Sequence, residues 1–417
     1  MKILKIQGGN ELNGTIKISG AKNSSVALIP AAILSDDVVK IFNVPEITDT
    51  DALNDILDYL GAKVERTSET ISIDSRTVVN KPIPTKLAKK LRASYYFMGA
   101  LLGKYKHVEI SFPGGCSIGA RPINLHLKGF EALGAKIVEK DNLYIVNAEE
   151  LKGANIYLDI ASVGATINIM LAAVRAKGTT IIDNAAKEPE IVNVATFLNN
   201  MGARITGAGT SEIRIVGVNK LGGCFHEVIP DRIEAGTYSI IAALIGNKLK
   251  IDNLIPEHLE ALTSKLIEMG VNIELNSDNF VITKKDEYKP INIKTLVFPG
   301  FPTDLQQPFS VLLTQCNGRS VVEETIYENR FMHIPELEKM GANIKVNGTK
   351  AIIKGKTPLQ GQEVIATDLR AGAAMVCAAL IADGETIIMN AEHILRGYEN
   401  IVQKLTQVGA KIEIQEI

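Results

Sequence analysis

Along the 417 residues the spacing of apolar and polar positions changes period repeatedly and in a fixed order. A stretch with one apolar helical face, such as Leu53, Ile56, Leu57 and Leu60 within 51–60, ends in glycine and a small residue, and strand-like alternation follows. The junction recurs as Leu60-Gly61-Ala62-Lys63-Val64, Leu133-Gly134-Ala135-Lys136-Ile137 and Met201-Gly202-Ala203-Arg204-Ile205. It returns as Met269-Gly270-Val271-Asn272-Ile273, Met340-Gly341-Ala342-Asn343-Ile344 and Val408-Gly409-Ala410-Lys411-Ile412. Its glycines are spaced by 73, 68, 68, 71 and 68 residues, so the chain is six copies of one unit. That period is longer than a solenoid repeat and makes each copy a substantial βα subdomain. Within a copy, the glycine supplies a left-handed helix cap. A hairpin follows, as in Ile344, Val346, Asn347-Gly348 and Ile352, then a second helix and a further strand. The second helices fall at 23–34, 93–102, 164–176, 235–245, 305–313 and 371–382. They are apolar nearly all round, so each domain is expected to bury three of them inside a shell of sheets.

The sixth copy lacks its second hairpin strand, because the sequence stops at Ile417. Residues 2–7 alternate as a lone strand belonging to no complete copy, and they are expected to supply the missing one. The expected organisation is α/β: one domain over 21–229, and a second over 1–20 plus 230–417. The chain then crosses twice, near Gly20-Ala21-Lys22 and near Ile229-Pro230-Asp231, and a double hinge of this kind predicts an active-site cleft that closes on ligand.

Composition adds mostly exclusions. Hydrophobic residues make up 46% and charged residues 22%, ordinary for a globular protein. A formal charge of −2 gives no bulk attraction to nucleic acid. No apolar run reaches membrane-spanning length, and the N-terminus lacks a signal-peptide pattern; a cytoplasmic protein is expected. Cys116, Cys224, Cys316 and Cys377 are scattered without a CxxC pair, and the six histidines do not cluster, so neither disulfides nor a metal site is expected. Cys316 and Cys377 lie in apolar runs as core thiols, and Cys224 after Gly222-Gly223 is ambiguous.

Only Cys116 has the setting of a reactive thiol. It sits in Pro113-Gly114-Gly115-Cys116-Ser117-Ile118-Gly119-Ala120-Arg121-Pro122, where glycines permit close backbone approach to a ligand and a nearby cation can favour the thiolate. The starts of the six apolar helices carry anomalous polar residues: Lys22-Asn23, Arg92-Ala93-Ser94, Ser162-Val163-Gly164, Asp231-Arg232-Ile233-Glu234, Thr303-Asp304 and Asp368-Leu369-Arg370. Symmetry should gather them at one end of each domain, where helix N-termini and cations suit phosphates or carboxylates. Asp304 and Asp368 could simply cap their helices, or an Asp among basic groups could act as a base. Arg330 and Arg396 add donors, and His126 is given a capping or surface role.

These segments, with Glu188-Pro189-Glu190-Ile191, Glu328-Asn329-Arg330-Phe331-Met332-His333 and Arg396-Gly397-Tyr398-Glu399, resemble the UDP-N-acetylglucosamine 1-carboxyvinyltransferase family of enolpyruvyl transferases from end to end. The resemblance implies two inside-out α/β barrel domains built from six βαβαββ repeats, three per domain. It implies transfer of the enolpyruvyl group of phosphoenolpyruvate to the 3′-hydroxyl of UDP-N-acetylglucosamine, by addition and elimination with release of phosphate, as the first committed step of peptidoglycan synthesis. Cys116 would be the proton donor on a lid loop, the site of a phospholactoyl adduct and the target of the epoxide fosfomycin. Asp304 would be the base, and Lys22, Arg121 and Arg396 the phosphoenolpyruvate contacts. Asn23, Arg92, Arg121, Pro122, Ile123, Asn124, Leu125, Asp304 and Ile326 would meet the UDP-sugar, and Ser162, Val163 and Gly164 its diphosphate. Arg330, Asp368 and Arg370 join the substrate-binding set. No cofactor, metal, membrane or obligate protein partner is implied.

Two positions depart from the family's pattern: Asn124 where many members have Asp, and Ile160 where some have Lys. The sister synthase acting on shikimate 3-phosphate shares the fold but not the thiol loop. A silent UDP-sugar sensor would not need Lys22, Cys116, Asp304 and Arg396 all intact, and a cysteine hydrolase would need a partnered base that the sequence does not offer.

Overall fold

The computed structural model describes residues 1–111, 123–141 and 143–416. Among these, the chain forms two compact units, one of residues 20–229 and the other of residues 1–19 with 230–416. Each unit contains three small sheets.

Five of the six sheets follow one plan, in which a short strand lies parallel to a longer one and an antiparallel hairpin completes the set. In the 20–229 unit, Phe225–Glu227 lies parallel to Val38–Phe42, followed by Thr70–Asp74 and Lys63–Arg66. Asn155–Tyr157 lies parallel to Thr179–Asp183, followed by Glu212–Val216 and Arg204–Thr206. The remaining sheet has three strands, His107–Ser111, Leu143–Asn147 and Lys136–Lys140, with a parallel bridge from Ile83 to Ile110 in place of the short strand. In the other unit, Leu12–Lys17 precedes Gly246–Asp252, Asn279–Thr283 and Asn272–Leu275. Asn292–Lys294 precedes Gly318–Glu323, Lys350–Gly355 and Asn343–Asn347.

The last sheet shows how the repeat closes. Glu363–Ile365 lies beside Glu385–Met389, and the next strand is Lys2–Gln7, which pairs Leu4 with Ile388 on one side and with Ile414 of Lys411–Glu416 on the other. The N-terminal strand therefore occupies the place of the missing hairpin strand.

The helices sort into two kinds for the reason the periodicity gives. Lys22–Ala31, Tyr96–Tyr105 and Val163–Ala173 pack together in one unit, and Arg232–Ile245, Thr303–Thr314 and Leu369–Ile381 in the other. Each is buried along most of its length, and they form the centres of two separate hydrophobic cores. The amphipathic kind is exemplified by Thr48–Leu60, whose buried side chains include Leu53, Ile56, Leu57 and Leu60. Its end is Gly61 at φ 89°, and Gly134, Gly202, Gly270, Gly341 and Gly409 are likewise at positive φ, the conformation that selects glycine there. The helix expected over 93–102 instead opens as a 3-10 turn, Arg92–Tyr95, before Tyr96–Tyr105. Among the described residues no helix is long and apolar enough to cross a membrane.

Candidate active site

In the 230–416 unit, the starts of three buried helices and the segments around Arg330 and Tyr398 meet in one hydrogen-bonded group. Asp304 is the second residue of Thr303–Thr314 and makes no cap; the residue before that helix, Pro302, offers no side-chain acceptor. Its carboxylate instead accepts from Arg330 Nη2 at 2.7 Å and from Arg370 Nη2 at 3.0 Å. Both arginine side chains are buried, at 2% and 5% exposure, while the Asp304 side chain keeps 26%. Arg370 Nη1 donates to Tyr398 Oη (3.1 Å), which shares a 2.9 Å hydrogen bond with Thr237 Oγ1. Two guanidinium groups thus orient a carboxylate that still reaches solvent, an arrangement able to accept a hydroxyl proton while cations stand ready for phosphate or carboxylate oxygens.

Asp368 behaves differently. Its Oδ1 accepts from the Arg370 and Ala371 N–H groups and caps Leu369–Ile381, and Oδ2 accepts from Gln307 Nε2 at 3.4 Å. Of the two alternatives open for Asp304 and Asp368, capping holds for Asp368 only. Ile326, expected to touch the sugar nucleotide, is held by a residue the sequence reading missed. Buried Glu324 accepts from the Ile326 and Tyr327 N–H groups (2.8 and 3.2 Å), from Thr295 Oγ1 (2.9 Å) and from Thr303 Oγ1 (3.0 Å). It ties the Ile326 turn to the helix that carries Asp304. A Glu after a strand has no local signature; only the fold reveals what it binds.

The 20–229 unit gathers a second group at helix starts. Lys22 opens Lys22–Ala31 and its Nζ lies 3.1 Å from Asp49 Oδ2, with Asn23 beside it half-buried. The Arg92–Tyr95 turn packs against that helix. Ser162 caps Val163–Ala173 by accepting from Ala165 N–H (3.3 Å). A Cβ added at Gly164 would stand 2.9 Å from Tyr95 Oη and 3.1 Å from His126 Cε1, so this helix start admits a residue other than glycine only at the cost of its neighbours moving. Ile123, at the N-cap of Asn124–Ala132, is buried, Leu125 half-buried and Asn124 exposed. Ile160 is 68% exposed.

His126 corrects its sequence assignment. It is buried, 5% exposed, because it lies on the inner face of Asn124–Ala132. Asn168 Oδ1 accepts from Gly99 N–H, which turns Nδ2 toward Tyr95 O and His126 Nδ1, each at 2.9 Å. His126 Nδ1 is then the acceptor, and the neutral ring carries its proton on Nε2. Burial, helped by Arg92, lowers its pKa to about 3. Arg330, expected from sequence as a further donor in the substrate-binding set, is likewise buried.

Cys116, Arg121 and Pro122 lie outside the described residues. The described thiols are chemically quiet: burial pushes Cys224 up to about 11, Cys316 up to about 12 and Cys377 higher still. Among the described residues no group of His, Cys, Asp and Glu could hold a metal ion.

Comparison with known proteins places the chain. Residues 6–405 match the family model for EPSP synthase (3-phosphoshikimate 1-carboxyvinyltransferase). UDP-N-acetylglucosamine 1-carboxyvinyltransferase 2 of Geobacillus kaustophilus is 56% identical over 412 residues, covering 99% of this chain and 96% of the relative. Its namesake in Listeria monocytogenes is 55% identical over 409 residues, 98% of this chain and 97% of the relative. The crystal structure of the enolpyruvyl transferase NikO from Streptomyces tendae superposes with a TM-score of 0.89 at 26% identity, covering 99% of both chains. EPSP synthase from Acinetobacter baumannii shares the fold, with a TM-score of 0.76 at 18% identity over the whole of both chains. The chain belongs to the EPSP synthase family of carboxyvinyltransferases and, within it, to the enolpyruvyl transferases named for UDP-N-acetylglucosamine.

Proposed function

We propose that this protein transfers the enolpyruvyl group of phosphoenolpyruvate to the 3′-hydroxyl of UDP-N-acetylglucosamine and releases phosphate. The observation that carries the chemistry is the Asp304 carboxylate held between Arg330 and Arg370 at the starts of buried helices. The near full-length relatives, each named for UDP-N-acetylglucosamine, carry the choice of acceptor.

In the addition step, Asp304 takes the proton of the sugar hydroxyl as its oxygen bonds to C2 of the enol phosphate. The Cys116 thiol delivers a proton to the methylene carbon, giving a tetrahedral phosphoketal. In the elimination step, the new methyl carbon returns a proton to the Cys116 thiolate, the C2–O bond to phosphate breaks as the leaving phosphate takes the proton held by Asp304, and the enol ether remains on the sugar. Lys22, Arg121 and Arg396 supply positive charge to the carboxylate and phosphate of the donor, and Arg330, Asp368 and Arg370 hold the acceptor side. Asn23, Arg92, Pro122, Ile123, Asn124, Leu125 and Ile326 meet the sugar nucleotide, with the helix start at Ser162, Val163 and Gly164 receiving its diphosphate. At Ile160 the exposed side chain brings no charge, so the diphosphate relies on backbone N–H groups there.

The role of Cys116 is tested by exposing the protein to fosfomycin and weighing its peptides. One adduct is expected, on the peptide containing Cys116, with turnover lost in step. An adduct elsewhere, or full labelling with turnover intact, would remove Cys116 from the mechanism.

A further inference from the structure

Charged groups of the 230–416 unit converge on one residue, Ser19, the last of its unit before the chain passes to Gly20. Its N–H donates to Glu234 Oε2 at 2.8 Å. Its hydroxyl donates to a carboxylate oxygen of Glu399 and accepts from Lys404 Nζ at 2.6 Å. Lys404 Nζ also donates to Glu234 Oε1 at 2.6 Å. The Ser19 carbonyl accepts from Asp231 N–H at 2.9 Å, and the Asp231 carboxylate in turn caps Arg232–Ile245. Every polar atom of one serine is therefore fixed, by groups from 212 to 385 residues away in sequence.

The knot is expensive to build. Glu234 is 3% exposed and Lys404 13%, and burial pushes Glu234 up to about 7 against the pull of Lys404. Apolar side chains of similar volume would generally stabilise such a place as well or better, so a buried ion pair points to a demand for position. What it positions is legible from the chain. Glu399 closes the segment Arg396-Gly397-Tyr398-Glu399, three residues after Arg396. On the other side, Ser19 leads through Gly20 and Ala21 to Lys22. Gly20 is pressed so closely against the Asn43 carbonyl that no Cβ fits, and Ala21 N–H donates to Ile229 O at 2.7 Å.

We propose that Glu399, Lys404 and Glu234 are positioning residues for phosphoenolpyruvate, acting through Ser19 to hold the segments that carry Lys22 and Arg396. The inference rests on the functional reading above, which gives those two cations to the donor substrate. The sugar nucleotide is met mainly from other elements, so the effect should divide the two substrates.

The experiment measures steady-state phosphate release by wild type, Ser19→Ala, Ser19→Thr and Glu399→Gln, varying each substrate in turn. Wild type without sugar-dependent release would overturn the functional reading and this inference with it. With wild type active, Ser19→Ala is expected to raise KM for phosphoenolpyruvate about tenfold, leave KM for the sugar nucleotide within about twofold, and recover in Ser19→Thr, which keeps the hydroxyl. Glu399→Gln keeps an acceptor but not the charge, and an intermediate rise is expected. Equal changes in both KM values, no change, or no recovery by threonine would overturn the proposal. If Ser19→Ala does not fold, Glu399→Gln decides by the same split.

Discussion

Removing the Asp304 carboxylate is the perturbation for which the structure gives a magnitude. Asp304→Ala would leave Arg330 and Arg370, 2% and 5% exposed, without the anion to which each donates. Breaking a buried ion pair by deleting one partner costs about 3–5 kcal/mol, mostly because the remaining charge stays desolvated. The carboxylate is 26% exposed, and the solvent that reaches it screens part of the interaction, which favours the lower end, about 3 kcal/mol. For a unit of this size that lowers Tm by roughly 6–12 °C. Asn retains shape and one acceptor, so Asp304→Asn should lose about half as much. The chain has no Trp, so scanning calorimetry is the suitable assay, and it can resolve two units melting separately. Turnover should fall by about 10²–10⁴-fold if Asp304 is the base, while calorimetric titration still detects the sugar nucleotide. An alanine variant melting within a degree or two of wild type would refute the claim that Asp304 compensates the two guanidinium groups. Unchanged turnover would refute its role as base.

Other perturbations test other parts of the account. Cys116→Ala should abolish or severely slow phosphate release while leaving the melting profile intact; near-normal turnover would end the proton-donor assignment. Gly20→Ala forces a Cβ into the Asn43 carbonyl and should depress Tm or yield insoluble protein, whereas Gly9→Ala, which meets no neighbour, should cost only the strain of its φ of +80°. His126 and His333 are both pushed down to about 3 by burial, so the folded state keeps them neutral while the unfolded chain protonates them near pH 6.5. Stability from each is present above that value and is lost as pH falls from about 6.5 toward 3, about 2 kcal/mol apiece by pH 5. Buried Glu234, raised to about 7, works in the opposite direction over pH 4.5 to 7, so the histidine contribution is read as a difference. His333→Gln should lose about 2 kcal/mol less than wild type between pH 7 and pH 5 by calorimetry; an identical loss would contradict the assignment.

The large-scale architecture was readable because it rests on local demands. Each glycine of the Gly-small series occupies a left-handed helix cap, which other residues adopt with difficulty, and so the register of six repeats is written in the chain. The partner of Lys2–Gln7 was readable because one copy had a strand too few. The short parallel strands, such as Asn155–Tyr157 and Asn292–Lys294, are three residues long and show no period. The asparagines at left-handed positions after longer strands were also missed. Asn43, Asn184 and Asn253 each donate a side-chain hydrogen bond to the carbonyl of a residue just past the neighbouring short strand. At the site, charged helix starts drew attention to Asp304, Asp368 and Arg370, but what Asp304 and Arg370 touch depends on residues far away in sequence. The same holds for Glu324 and for the groups around Ser19, whose partners only folding brings near. His126 misled because a lone histidine after a loop carries no mark of the Asn168 that receives it.

The most direct test of the central claim is phosphate release from phosphoenolpyruvate, measured with no acceptor, with UDP-N-acetylglucosamine and with shikimate 3-phosphate. Release is expected only with UDP-N-acetylglucosamine, with the enolpyruvyl ether of the sugar nucleotide as the other product. Release with shikimate 3-phosphate instead, or with neither acceptor, would contradict it.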